Sequence, residues 1–269
     1  KTGHLNMEAG ALARTADMLG QARMAAQLVP EIPRADIPQT ISDGYAAQAE
    51  LHRYFCDRTG GTLAGWKVGA TTSDMRAYLG VEGPAYGRIL SENVHTSGDV
   101  LAASTFCNPG VECEIAVRIG TDAKDEIYSR DTIGGIIDAV LPAIEIVENR
   151  YRDFLALGTP MLIADDFFHK ACVLGSPITE WRDIDLSTVE GRTLIDGVEK
   201  GCGISADVMG HPLEAIAWLA NTLASHGERL TAGQVVLTGS VAPVIWIDTP
   251  AATADVTLKN LGAVRIEIR

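Results

Sequence analysis

Apolar residues in the first sixty positions recur at helical spacing. Leu12, Leu19, Ala22 and Ala26 mark one face of an Ala-, Leu- and Met-rich helix predicted over 8–29, which Pro30 and Pro33 end. A second helix is predicted to follow Ser42-Asp43 and run to Gly60-Gly61. The pattern then changes. Gly65-Trp-Lys-Val-Gly69 reads as a short strand, and Ser73 to Gly80 as a helix with Ser at its start and Gly just past its end. From about residue 86 strands dominate: 86–90, 111–119, 142–148, 171–175, 188–195, 233–238, 244–248, 254–258 and 262–268. The last two pair through Asn260-Leu-Gly262. Helices interrupt at about 130–140 and at 212–226, the latter with Pro212 near its start and Gly227 past its end. Strands and helices do not alternate regularly. The expected class is therefore α+β with a sizeable mixed sheet, not a doubly wound fold. The helical segment 1–60 is expected to pack on the sheet within one domain spanning 1–269, and Lys1 to Asn6, ahead of Met7, are read as an expression remnant.

Three glutamates sit inside the apolar runs. Glu112 and Glu114 are one residue apart in Val111-Glu-Cys-Glu-Ile-Ala-Val117, and Glu145 lies in Leu141-Pro-Ala-Ile-Glu-Ile-Val147. In a strand, residues two apart share a face, so Glu112 and Glu114 aim at one place while Cys113, Ile115, Val117 and Ile119 form the opposite, buried face. About one Glu-x-Glu arises by chance in a chain this long, and most are solvated strand faces. The apolar surroundings distinguish this one. Carboxylates that close repel unless one keeps its proton or a cation intervenes. Three of them with water make a hard-oxygen site suited to Mg²⁺ or Mn²⁺.

Composition narrows the alternatives. The chain has 269 residues, 46% of them hydrophobic, which supports a substantial core. Its net charge of −13 argues against nucleic acid or an anionic membrane as partner. No apolar run has the length of a membrane span, and no signal-peptide pattern appears. Five scattered cysteines without Cys-x-x-Cys fit reduced thiols in a cytoplasmic protein. Other motifs fail. Gly60 to Lys67 resembles a phosphate loop, but neither Ser nor Thr follows the Lys. Gly201-Cys-Gly203 lacks the third Gly of a dinucleotide fingerprint, and Thr238-Gly-Ser240-Val-Ala242 is not a nucleophile elbow.

Four stretches in order resemble the fumarylacetoacetate hydrolase superfamily and its 2-keto-4-pentenoate hydratase group. They are Gly65-Trp-Lys-Val-Gly69 with Leu79-Gly-Val-Glu-Gly-Pro84 and Tyr86-Gly87; the Glu112-x-Glu114 strand; Pro142 to Val147 with Asn149-Arg150; and Gly233-Gln-Val-Val-Leu-Thr-Gly-Ser240. The resemblance implies a mixed β-rich roll of the fumarylacetoacetase C-terminal type with flanking helices, often as a homo-oligomer. It implies one Mg²⁺ or Mn²⁺ on Glu112, Glu114 and Glu145, an active-site Lys67, and a substrate-carboxylate cradle at Thr238, Gly239 and Ser240. Two positions depart from the hydratases. Ala85 stands where they usually carry Asp, and Ala164-Asp-Asp-Phe-Phe-His-Lys170 stands where they tend to have Ala-Asp-Asn.

A 2-oxo acid can chelate such a metal through its carboxylate and keto oxygens, which stabilises an enolate. Lys67 is expected to move protons or hold the enolate oxygen, Asp165 and Asp166 to orient metal-bound water or to serve as a turn or helix cap, and His169 and Lys170 to contribute groups to the pocket or to sit at its rim. The expected activity is hydration of a 2-hydroxy-2,4-dienoate or 2-oxo-alkenoate from aromatic-compound breakdown. The alternatives are a 2-oxo-3-enedioate decarboxylase, an acylpyruvate-type C–C hydrolase, and a non-catalytic partner subunit. A complex with a pathway decarboxylase or hydratase is also envisaged.

Overall fold

The computed structural model describes residues 7–249 and 251–269; the segment read as an expression remnant lies outside them. Helix α1 (Ala9–Met24) buries Leu12, Ala16 and Leu19, three to four residues apart, against α2 (Ile41–Thr59), whose Ala47, Leu51 and Phe55 repeat every fourth position. The start of α2 lies earlier than predicted. Thr40 is the N-cap, with its hydroxyl accepting from the Asp43 N–H and Asp43 returning a bond to the Thr40 N–H. The chain continues through β1 (Leu63–Gly69), α3 (Ser73–Leu79, capped by Thr72 rather than Ser73), β2 (Ala85–Leu90), β3 (Val94–Thr96), β4 (Val100–Leu101) and β5 (Pro109–Ile119).

The helix predicted over 130–140 is a correction. Only Arg130–Ile133 is α-helical (α4), and a single tight turn over Gly134–Ile136 leads into the long strand β6 (Ile137–Glu148). Gly134 and Gly135 weaken the helix, while residues 137–147 alternate faces and take a ladder partner along the whole of β5. After α5 (Thr159–Ala164) come β7 (His169–Leu174), β8 (Glu190–Ile195), β9 (Val198–Ile204), α6 (Pro212–Ser225), β10 (Val235–Ser240), β11 (Ile245–Trp246), β12 (Ala252–Leu258) and β13 (Gly262–Ile268). The hairpin of β12 and β13 turns through Asn260 in a left-handed conformation, as the pattern predicted. The short strands β3, β4 and β9 and helix α5 were not foreseen.

Two mixed sheets result. The larger runs β2-β1-β10-β5-β6-β7-β3, with β11 on β5, and the smaller runs β4-β13-β12-β8-β9. Cys113, Ile115, Ile144 and Ile146 of the first sheet meet Val256, Leu258, Val264 and Ile266 of the second in the main core. The opposite face of β5, β6 and β10 is also buried, under small and aliphatic residues including Ala116, Ala143, Cys172 and Leu237. The helical segment packs through Leu51, Phe55 and α5 against Ala85, Leu90 and Phe167. This gives an α+β fold with a β-rich roll and flanking helices. Among the described residues, no helix is long and apolar enough to cross a membrane.

Candidate active site

Strand parity puts Glu112 and Glu114 on the face of β5 opposite the main core, and the β5–β6 register sets Glu145 directly across from Glu112. One carboxylate oxygen from each of Glu112, Glu114 and Glu145 lies within 4.8 Å of the others. The separate apolar runs that carry them are thus adjacent strands. Glu114 and Glu145 are fully buried, and Glu112 opens onto a cavity of about 740 Å³.

Two irregularities in the ladders shape the site. Leu237 pairs with Ala116 but Ser240 pairs with Glu114, so β10 carries one extra residue. Gly239 takes up the distortion at φ 114°, and its N–H donates to Glu114 Oε2 at 2.8 Å. A Cβ there would also fall 2.4 Å from Thr71 Oγ1. On the other side, Ile146 pairs with Ala171 but Val147 pairs with His169, so β7 too has an extra residue. This bulge brings His169 onto the carboxylate face, where Nδ1 lies 2.9 Å from Glu145 Oε1. Lys67 reaches the same oxygen from β1, at 3.2 Å. Gly69 leaves room for it, because a Cβ at that position would lie 2.5 Å from the Phe167 ring and 3.3 Å from Lys67 Nζ.

The electrostatics are those of a site short of positive charge. Burial, followed by the charge of Glu145, pushes Glu112 up to about 7. Burial and the two neighbouring carboxylates raise Glu114 well above the ordinary carboxylate range. Burial also works against ionisation of Glu145, but Lys67 and the His169 hydrogen bond outweigh it and hold Glu145 below its ordinary value. For Lys67, burial is outweighed by the attraction of Glu145, Glu112 and Glu114, so it stays cationic. Among the described residues, none gives a hydrogen bond to the buried atoms Glu114 Oε1, Glu145 Oε2 and His169 Nε2. Buried carboxylate oxygens are costly when unpaired. An all-carboxylate donor set with two orphaned oxygens fits a hard divalent cation.

The other expected site residues fall elsewhere. The Asp166 carboxylate faces Arg23 (2.9 Å) and the Arg88 N–H, and Asp165 is held by Arg150, Arg23 and Tyr151. Both belong to a buried ion-pair network that fastens α1 to the sheet, and neither carboxylate is directed to water. Asp165 feels burial, but Arg150 and Arg23 more than offset it and keep the group below its ordinary value. Lys170, displaced by the bulge that turns His169 inward, donates to the Arg23 carbonyl. Thr238 donates its hydroxyl to the Ile115 carbonyl and Gly239 its N–H to Glu114, so of the expected carboxylate cradle only Ser240 lines the cavity. The Ser240 hydroxyl itself donates to the Ala242 carbonyl at 2.6 Å. Ala85 is buried in the apolar cluster with Phe167 and is not among the cavity-lining residues.

Neither Thr71 nor the Phe167-Phe168 pair stands out in the sequence as a site residue. Asp166, Phe167 and Phe168 adopt consecutive left-handed conformations (φ 52°, 50° and 70°), a strained run held by the Arg23 and Arg88 contacts of Asp166. It sets the Phe167 ring 5.5 Å from Lys67 Nζ. The Phe-Phe doublet was the only signal in the sequence.

A family model described as Fumarylacetoacetate (FAA) hydrolase C-terminal matches residues 89–269. The chain is 30% identical over 230 residues to a 4-oxalocrotonate decarboxylase of Pseudomonas putida, covering 85% of this chain and 86% of that one. It is 29% identical over 259 residues to a 2-hydroxyhexa-2,4-dienoate hydratase of Comamonas testosteroni, covering 94% of each. Among solved structures it is similar to 4-oxalocrotonate decarboxylase from Pseudomonas putida G7 complexed with magnesium and adipate. That match has a TM-score of 0.92 at 25% identity, over 99% of this chain and 100% of the other.

Proposed function

The chain belongs to the fumarylacetoacetate hydrolase family, and from that premise we propose that it is a divalent-metal-dependent hydro-lyase. It would add water to a 2-hydroxy-2,4-dienoate, or to the 2-oxo-alkenoate formed from it, in aromatic-compound catabolism. The observation that carries this reading is the pair of buried, unpartnered oxygens, Glu114 Oε1 and Glu145 Oε2, below a cavity lined by Lys67 and Glu112.

Glu112, Glu114 and Glu145 would hold Mg²⁺ or Mn²⁺. The bound ion would supply Lewis acidity toward the carboxylate and 2-oxo oxygens of the substrate. Gly239 fixes Glu114 through its N–H, and His169 fixes Glu145 from the far side. Lys67 Nζ, cationic between Glu145 and the Phe167 ring, is the group that would hold the C2 enolate oxygen. In the overall step the enol oxygen of C2 loses a proton and C5 gains one. Water then adds its oxygen to C4 and its hydrogen to C3, with no change of oxidation state. Phe167 and Phe168 line the cavity beside Lys67.

Hydration is preferred to decarboxylation because Lys67 is the one cationic side chain among the described cavity-lining residues, and it is engaged by Glu145. A 2-oxo-3-enedioate carries a second carboxylate that would need a partner. The decarboxylase reading is favoured in turn by the overall likeness to the magnesium- and adipate-bound enzyme. The metal-stripped protein, given 2-hydroxypenta-2,4-dienoate, should leave the dienol ultraviolet absorbance decaying only at background rate, and Mg²⁺ should restore rapid decay. Absence of Mg²⁺-dependent decay, with CO₂ release from 2-oxohex-3-enedioate, would reverse the choice. A cytoplasmic homo-oligomer, alone or with a pathway decarboxylase, belongs to the same proposal and is tested by the native mass of the protein in cell extract.

A further inference from the structure

We propose, resting on the reading of this cavity as a 2-oxo acid site, that its outer half is an apolar subsite. It would take an uncharged hydrocarbon tail extending beyond C5 of the substrate and disfavour a second carboxylate. The wall that leads away from the carboxylates is a continuous aromatic file. It begins with Phe167, 5.5 Å from Lys67 Nζ. Phe168 follows at 5.9 Å, Phe154 at 5.3 Å and Tyr78 at 6.3 Å, measured between ring centroids. All four rings line the cavity, and Tyr78 at its outer end is 60% exposed. Such a file offers a tail a run of ring faces and edges from the reacting end to the rim.

Charge gives the same answer independently. The described cavity-lining residues include Asp74 and Asp207 besides Glu112, and Lys67 is the only cation among them. A carboxylate carried into the outer half would lose water and meet like charge, with no cationic side chain among the described outer lining residues to compensate. Size agrees. At about 740 Å³ the cavity is in the range that receives drug-sized ligands, so a five-carbon dienoate would leave most of it to solvent. The aromatic file gives that remaining space an apolar wall along one side.

The test uses 2-oxo acids that cannot be hydrated, so binding is read without turnover. The Mg²⁺-loaded protein is titrated calorimetrically with pyruvate, 2-oxohexanoate and 2-oxoadipate. The expected result is Mg²⁺-dependent binding of pyruvate, with 2-oxohexanoate tighter by roughly tenfold or more through its added methylenes and 2-oxoadipate no tighter than pyruvate. Failure of all three to bind would overturn the 2-oxo acid site itself. Pyruvate binding with 2-oxoadipate tightest, or with 2-oxohexanoate no better than pyruvate, would overturn the tail subsite and leave the site reading standing. A second variant tests the rim. Tyr78→Arg, at an exposed position, should improve 2-oxoadipate relative to 2-oxohexanoate by roughly fivefold, the scale of one solvent-edge ion pair. An unchanged ratio would remove the aromatic file from the subsite.

Discussion

Replacing Glu112 by Gln removes one negative charge at nearly constant shape, and the stability it adds should shrink when metal binds. Burial and Glu145 directly across the strand pair raise Glu112 from 4.5 to about 7. An acid raised in the folded state favours folding least at high pH: stability falls as pH climbs from the unfolded toward the folded value, and the deficit is complete above it. The rise corresponds to at most about 3 kcal/mol, at ~1.4 kcal/mol per pH unit, since the side chain is part-open to the cavity. Metal-free wild type at pH 8 carries that deficit and Glu112→Gln does not. In a chain of this size ~1 kcal/mol moves Tm by about 2–4 °C, so the metal-free variant should melt several degrees above wild type at pH 8 and converge with it near pH 5. Mg²⁺ should narrow that gap. At a concentration of ~100 Kd the wild type gains about 2.7 kcal/mol, and the variant, missing one ligand, should gain less than half of that. Differential scanning fluorimetry with EDTA and then with excess Mg²⁺ reads both effects. A metal-free variant that melts below wild type at pH 8, with an undiminished gain on adding Mg²⁺, would refute the reasoning.

Other perturbations have equally definite signs. Lys67→Met should abolish turnover yet tighten Mg²⁺, because it takes a positive charge from beside the three carboxylates; weakened Mg²⁺ in a calorimetric titration would contradict this. Gly239→Ala must strain a φ of 114° and press on Thr71, at a cost of about 1–3 kcal/mol, and it should lower Mg²⁺ affinity through Glu114. A variant with normal melting and normal Mg²⁺ affinity would show that the bulge does not position Glu114. Asp165→Asn should destabilise the protein by about 3–5 kcal/mol at pH 7, since it leaves Arg150 and Arg23 buried without their shared partner. Because Asp165 is held below 3.8, its contribution persists at neutral pH and is lost as pH falls through the folded value. Denaturant melts of wild type and variant should therefore draw together in strong acid, and a constant gap would contradict the assignment. Lys170→Ala should leave kcat within about twofold of wild type, because its ammonium serves the Arg23 carbonyl; a tenfold loss would return Lys170 to the chemistry.

Strand parity was legible in the sequence wherever the ladder is regular. Glu112, Glu114 and Cys113 fall on the faces that a two-residue period assigns, and the β12–β13 hairpin follows from Asn260 and Gly262. What the sequence did not display is where the ladders break. One added residue in β10 turns the Gly239 N–H to Glu114, and one in β7 exchanges Lys170 for His169 at Glu145. A bulge depends on the neighbouring strand, and no local pattern encodes it. Asp165 and Asp166 were misjudged for a related reason: their partners, Arg23 and Arg150, lie 142 and 15 residues away from Asp165 along the chain. The 130–140 segment misled because Ile133, Ile136, Ile137 and Val140 also suit helical spacing, and only pairing with β5 decides for a strand. The aromatic file draws on residues from α3 and from two connecting segments, at 154 and 167–168, so its continuity exists only in the fold.

The central claim is that Glu112, Glu114 and Glu145 together hold one divalent cation. Anomalous diffraction from crystals grown with Mn²⁺ tests it most directly. The account predicts a single strong peak bonded to one oxygen from each of the three carboxylates, at about 2.0–2.3 Å. A peak elsewhere, or none at saturating Mn²⁺ with Lys67 still paired to Glu145, would contradict it.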